Sequence, residues 1–199
     1  MNLEEIGPLV TERLTLRPAE IRDAAAIHRF RGDPAATRYL SHGPLTVEAN
    51  LERLEEVVAL RAASTCQWFN YGWAITLRTS GEVVGDARTW NSTVLETAGV
   101  LSPGKHPFQH AALGYVLHPD HHHHGYGREA AAALVNWLFA ERGISTVVAR
   151  AYEPNTASIK LLRSLGFKQD PAVPTDQETA GKGYPMLMFH LDSPRHSIA

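Results

Sequence analysis

The chain has 199 residues, with 19 Lys plus Arg against 21 Asp plus Glu, a formal net charge of −2 and 44% hydrophobic residues. A chain of this size buries about 70% of the surface its unfolded form exposes, so one sizeable core is expected in a single domain spanning 1–199, with its ordered part at about 10–191. The composition excludes a disordered or collagen-like chain, the balanced charge argues against a nucleic-acid partner, and one cysteine, Cys66, excludes an internal disulfide and a cysteine-built zinc site.

No apolar run approaches 18 residues, so no membrane-spanning helix is expected. The opening Met1–Ile6 lacks the basic and apolar regions of a signal peptide, which predicts a cytoplasmic protein. Arg13-Leu14-Thr15-Leu16-Arg17 alternates in character and stops at Pro18, predicting a first strand. Residues 19–32 predict a moderately amphipathic helix with Asp23 in its first turn. Thr46 predicts the N-cap of a clearer helix, in which Leu51, Leu54, Val57, Val58 and Leu60 recur at helical spacing. Phe69–Leu77 and Glu82–Asn91 predict two strands joined by a turn ending at Gly81. Trp68, Phe69, Tyr71, Trp73 and Trp90 crowd this hairpin; most read as core, with one or two free to line a pocket beside residues 34–46. Residues 92–110 carry no periodicity and read as a loop or insertion.

Ala111–Leu117 is a continuous apolar run, which predicts a strand buried on both faces. His118-Pro119-Asp120 ends it, and the run His121–His124 leads into Gly125-Tyr126-Gly127-Arg128. Ala130, Ala131, Leu134, Val135 and Leu138 then form a helical stripe that closes at Gly143. Thr146–Ala151 predicts another strand, and Asn155 opens a last helix with Ile159, Leu162 and Leu165 on one face, closed by Gly166. Residues 170–183 read as a loop and Tyr184–Leu191 as a closing strand, with Met186 and Met188 as packing residues. The alternation of strands and helices predicts an α/β fold with a mixed sheet.

The passage from strand to glycine turn to helix is an anion-binding device. The first amides of a helix have no internal partner, and the helix dipole places partial positive charge there. Gly125 and Gly127 would let the backbone approach a phosphate, and Arg128 adds a cation. The alternative is that the glycines only make a tight turn. The dinucleotide fingerprint is absent, since Ala130 stands where its third glycine would be, and there is no P-loop.

Leu113-Gly-Tyr-Val-Leu-His-Pro-Asp, His122-His-His-Gly125-Tyr-Gly127-Arg-Glu-Ala, Asn155-Thr-Ala-Ser158 and Leu165-Gly-Phe167 occur in this order. Together they resemble the GNAT N-acetyltransferases. The resemblance is nearest to the ribosomal-protein serine/alanine N-terminal acetyltransferase branch, whose usual opening is similar to Thr11-Glu-Arg-Leu-Thr-Leu-Arg17. It covers residues 10–191.

The resemblance implies a single-domain sheet of about six or seven mostly antiparallel strands, with helices on both faces and a splayed central strand pair. It implies acetyl-CoA as co-substrate, an amine acceptor, no required metal and the option of a homodimer. The phosphate motif falls on His122, His123, His124, Gly125, Tyr126, Gly127 and Arg128, with His122 replacing the usual first residue. The strand of Ala111–Leu117 is expected to carry a bulge and to offer backbone groups of Val116, Leu117 and His118 to the pantetheine arm. Asn155 resembles the residue that bonds this arm, and Ser158 the one near the sulfur.

Attack of an amine on a thioester needs a neutral amine, an oxyanion donor and an acid for the departing thiolate. The oxyanion role falls to the backbone N–H of Val116 or its neighbour. Many relatives use a tyrosine as the acid, where this chain has Leu162, so Ser158 is the local replacement. Ser158 could equally serve only the first turn of its helix. The base of the nearest branch is a Glu at the position of Ala112, which leaves His118, His110, Glu153, Asp86, a water relay or no base at all. The last is chemically reasonable, because an N-terminal α-amine has a pKa of about 8. The histidine run could bind a transition metal, or favour phosphates once partly protonated. Three functional readings follow: acetylation of a protein N-terminal α-amine; acetylation of a small amine such as a polyamine, amino acid derivative or aminoglycoside; and a non-catalytic acyl-CoA-binding module.

Overall fold

Leu14 and Leu16 are fully buried while Thr15 and Arg17 are only partly covered, the period of two expected of a strand lying on a core. They belong to β2 (Leu14–Pro18), which follows the two-residue β1 (Leu9–Val10) in a computed structural model that describes residues 6–65, 68–91, 109–170 and 183–194. A 3-10 turn (Ile21–Asp23) leads into α1 (Ala24–Arg31), then α2 (Pro34–Thr37) and α3 (Val47–Ala62). The Thr46 side chain caps α3 by accepting from the Ala49 N–H at 3.1 Å. The remaining elements are β3 (Asn70–Leu77), β4 (Val83–Asn91), β5 (His110–Leu117), α4 (Tyr126–Ala140), β6 (Thr146–Tyr152), α5 (Thr156–Ser164), β7 (Lys168–Gln169) and β8 (Met186–Asp192).

The strands form one sheet in the order β1-β2-β3-β4-β5-β6-β8-β7, antiparallel except for β5 and β6. Eight strands exceed the six or seven expected, because β1 and β7 have two residues each and are too short to leave a sequence pattern. The expected loops at 92–110 and 170–183 lie almost wholly outside the described residues.

Helices cover both faces. Phe69, Tyr71 and Trp73 pack with Trp137 of α4, joined by Ile159 and Leu162 of α5. Ala74, Val83 and Val116 pack on the other face with Ile27, Phe30 and Leu54 of α1 and α3. A side chain at Gly72 would overlap Val57, so the glycine lets α3 lie close against β3.

The parallel pairing of β5 with β6 holds only at His110↔Thr146, Ala111↔Val147 and Ala112↔Val148. Beyond Ala112, β5 stays with β4 as far as Leu117, and β6 stays with β8 as far as Tyr152. The centre of the sheet therefore opens into a gap at the C-terminal ends of β5 and β6.

The bulge expected in β5 is elsewhere. β5 pairs with β4 residue for residue, and the irregularity lies between β3 and β4, where the ladder steps from Ile75↔Gly85 to Thr76↔Val83 and skips Val84. Val84 then accepts the His118 N–H at 2.8 Å. Gly85 makes this approach possible, since a β-carbon there would sit 2.5 Å from the Val116 carbonyl oxygen and from Leu117. Gly85→Ala is expected to cost about 1–3 kcal/mol, the usual range for overpacking, read as a lower midpoint in thermal or urea denaturation.

Candidate functional site

The open end of the gap is where both following helices begin. Gly125, at φ 79°, is the N-cap of α4 and offers no side-chain cap. The N–H groups of Tyr126, Gly127 and Arg128 have no acceptor among the described residues. These unsatisfied donors, with the positive end of the helix dipole, suit an anion. The turn is held from behind by Arg13. Its Nη1 donates to the His124 carbonyl at 2.9 Å, its guanidinium pairs with Glu129 at 2.7 Å, and it lies 5.0 Å from the Tyr126 ring centre. Burial alone would raise the Glu129 carboxyl, but hydrogen bonds from Thr11 and Arg13 outweigh it and hold the group below its usual range.

The two glycines divide their labour. Gly125 supplies the left-handed conformation. A β-carbon at Gly127 would press on Leu161 at 3.1 Å and Leu117 at 3.4 Å, so its bare Cα lets α4 pack against α5 and β5. Arg128 donates from Nε to Ser164 on α5 at 3.2 Å.

The histidines diverge. His121 lies 3.5 Å from Glu82, His122 Nε2 lies 3.2 Å from the Leu117 carbonyl, His123 adopts φ 65°, and His124 stacks on Tyr126. Among the described residues no group of three or more His, Cys, Asp or Glu could hold a metal ion.

Hydrogen-bond parity decides which backbone groups face the gap. The Asn91 N–H donates to Phe69, so odd-numbered residues of β4 turn toward β3 and even-numbered ones toward β5. Val116, the partner of Asp86, therefore directs its N–H to β4, and so does His118 through its bond to Val84. The backbone donors and acceptors along the gap are those of Tyr115 and Leu117. This moves the expected backbone contact from Val116 and His118 to their neighbours. Val116 instead contributes a buried side chain on the α1–α3 side.

Across the gap, Asn155 caps α5 by accepting from the Ser158 N–H at 3.2 Å. The Ser158 hydroxyl lies 3.0 Å from the Tyr115 hydroxyl, which spans from β5 to α5. Burial pushes the Tyr115 phenol up to about 12 against the opposing Ser158 bond, so it stays protonated at neutral pH. Tyr115 was not singled out from the sequence, because a tyrosine in an apolar strand reads as core. Leu162 and Ala112 are both buried.

The four residues expected as bases stand in different settings. Asp86 is buried and gripped by Arg31, whose Nε and Nη2 each reach a carboxylate oxygen at 2.7 Å, with Arg53 at 3.5 Å. Burial would raise its carboxyl, but the two guanidiniums outweigh burial and keep it below the ordinary value. His110 begins β5 at the closed end of the gap, where burial depresses its basicity. Glu153 is exposed beyond β6. His118 accepts the Asp120 N–H at Nδ1, 3.2 Å away, which places the neutral ring's proton on Nε2 and makes that atom a donor.

A family profile described as "Acetyltransferase (GNAT) domain" matches residues 13–168. The chain is 26% identical over 183 residues to an N-acetyltransferase called p20 in Bacillus licheniformis, covering 92% of this chain and 94% of that one. Its fold is similar to that of an acetyl transferase from Salmonella typhimurium that modifies the N-terminal serine of ribosomal protein L7/L12, with a TM-score of 0.75, 15% identity, and 94% and 99% of the two chains covered. It is also similar to RimL, a ribosomal L7/L12 alpha-N-protein acetyltransferase solved with coenzyme A, with a TM-score of 0.74, 17% identity, and 94% and 98% covered.

Proposed function

Because the chain belongs to the GNAT family and is an acyl-CoA-dependent N-acetyltransferase, we propose that its acceptor is the α-amine of a peptide or protein N-terminus, acetylated by direct attack in a ternary complex. The observation that carries this is the gap itself. It is open between β5 and β6, flanked by the uncapped amides of α4 and crossed by the Tyr115–Ser158 hydroxyl pair. The activity of ribosomal-protein acetyltransferases of the same fold supports a terminal amine as acceptor.

Acetyl-CoA supplies an activated acetyl thioester. In this reading the first-turn amides of α4 and Arg128 bind its pyrophosphate, with His122, His123 and His124 on the same turn. The arm lies along Tyr115 and Leu117, whose N–H groups donate to the pantetheine carbonyls and to the oxygen that gains charge in the tetrahedral intermediate. Asn155 sets the first turn of α5, and Ser158 passes a proton to the departing thiolate while it takes one from water, so that it ends as a hydroxyl again. A terminal amine with a pKa of about 8 is partly neutral at physiological pH, so water suffices to take up its proton.

Incubation with acetyl-CoA and a panel of peptides and small amines, with free thiol followed over time, tests the reading. Thiol release dependent on a peptide amine is expected. A preference for polyamines or aminoglycosides would move the acceptor to the small-amine class, and no release with any amine would favour an acyl-CoA-binding module. Gly125→Val is expected to weaken CoA binding at least about tenfold, or 1.4 kcal/mol, by calorimetry. A β-carbon at Gly125 meets no atom nearer than Arg13 Nη2 at 3.4 Å. The fold therefore bears only the cost of a left-handed branched residue, about 1–2 kcal/mol. Unchanged affinity in the folded variant would remove the phosphate role from this turn.

A further inference from the structure

The acceptor must reach the gap from the α1–α3 side, because α4 and α5 cover the opposite face. On that side β5 presents only small residues, Ala112 and Gly114, with the Trp90 ring beside Gly114. Arg88 of β4 is the register partner of Gly114. Arg150 of β6 lies two residues beyond Val148, the last partner of Ala112, so it stands across the gap at the level of Gly114. Val147, Ala149 and Ala151 belong to the core under α4 and α5, which puts Arg150 on the acceptor side.

The hydrogen-bonding capacity here is one-sided. Arg88 donates from Nε to Asn70 Oδ1 at 2.7 Å, and its Nη groups have no acceptor among the described residues. Arg150 has none there either. The Asn70 Nδ2, on a residue with no exposed surface, and the Trp90 Nε1 are buried donors without a partner. Asn70 and Trp90 are register partners, one step along the same face from Arg88. A buried donor without an acceptor is costly, and these two, beside the open guanidinium groups of Arg88 and Arg150, call for oxygen atoms from outside.

The nearby acids do not supply them. Asp86 is already closed by Arg31, and Glu56 is exposed on α3. Burial depresses the basicity of Arg88 and lowers Arg53 to about 10, which reflects positive charge held away from water without full compensation. A polycation would be repelled from this face.

The geometry points to an acceptor that carries a carboxylate close to its amine, gripped between Arg88 and Arg150 over Gly114, with Asn70 and Trp90 as further donors. The inference rests on the transferase reading and names its substrate class: peptides with an acidic residue next to the N-terminus. Guanidinium–carboxylate bonds are charge-assisted and stronger than the same bonds to an amide. An acid should therefore be preferred to its amide, and increasingly so at low ionic strength.

The test is calorimetry on CoA-saturated protein with two probes, the amidated dipeptides alanyl-glutamate and alanyl-glutamine. The acid is expected to bind at least about tenfold tighter, with the ratio shrinking as salt is added. In R88Q and in R150Q the ratio should fall toward one, and in R150K part of it should return. Arg150 is exposed, so its variants report binding free of any folding defect. Equal binding of the two probes, or binding of neither, overturns the inference. Thiol release is measured in parallel: acid-selective binding without transfer would count against the transferase reading and leave this recognition standing.

Discussion

Asp86→Ala should destabilise the protein by about 3–5 kcal/mol, the range found when one partner of a buried ion pair is removed. The carboxylate is the only acid among the described residues in contact with Arg31 and Arg53, and both of its oxygens are bonded. Its loss would leave the Arg31 guanidinium, 8% exposed, buried with His42 as its remaining neighbour. For a chain near 200 residues, 1 kcal/mol shifts the melting temperature by about 2–4 °C, so a fall of about 10 °C is expected by calorimetry. The acid limb of the stability curve gives a second reading. The folded state holds this carboxyl below its ordinary value of 3.8, so its stabilisation is present above that pH and is lost as the pH falls through the folded pKa. The wild type loses stability in that window, and the alanine variant has none of this contribution to lose. If melting is unchanged but turnover vanishes, Asp86 is a catalytic base and not a clamp.

Ser158→Ala should lower kcat and kcat/KM for the acceptor together by about a hundredfold, the low end of general-acid effects, with acetyl-CoA affinity nearly unchanged. The loss stays at that end because Tyr115, whose hydroxyl lies 3.0 Å from Ser158, remains in place and can hold a water. The Ser158 side chain is not what caps α5, since Asn155 accepts the Ser158 N–H, so the helix should survive the change. Steady-state kinetics decide the matter. A raised KM for acetyl-CoA with an intact kcat would make Ser158 a binding contact, and the thiolate would then take its proton from elsewhere.

Most of the framework was legible because it depends on neighbours in sequence. Alternation marked β2, helical spacing and Thr46 marked α3, and Gly125 marked the start of α4. What escaped depends on register. Whether Val116 or Tyr115 offers its N–H to the gap follows from how β4 pairs with β3, through Asn91 and Phe69. That Tyr115 meets Ser158 follows from where the parallel ladder stops, a tertiary event with no local signature. The Arg31–Asp86 pair joins residues 55 positions apart, and nothing in either neighbourhood announces the other. Gly127 has a second side that the sequence does not announce: besides the N–H it brings to the first turn of α4, its missing side chain leaves room for Leu117 and Leu161.

The parallel pair also has a mechanical meaning. Three register positions join the ladder from β1 to β5 to the ladder of β6, β8 and β7, so the sheet is two plates meeting at a short join, and the cleft proposed to take the cofactor is the unfinished seam between them. A ligand whose amides bond Tyr115 and Leu117 on one plate while its head rests on the helix ends acts as the missing rivet. Ligand binding and rigidity of the seam then become one equilibrium: occupancy at a hundred times the dissociation constant would add about 2.7 kcal/mol to the folded state, and would do so by joining the two plates along that seam.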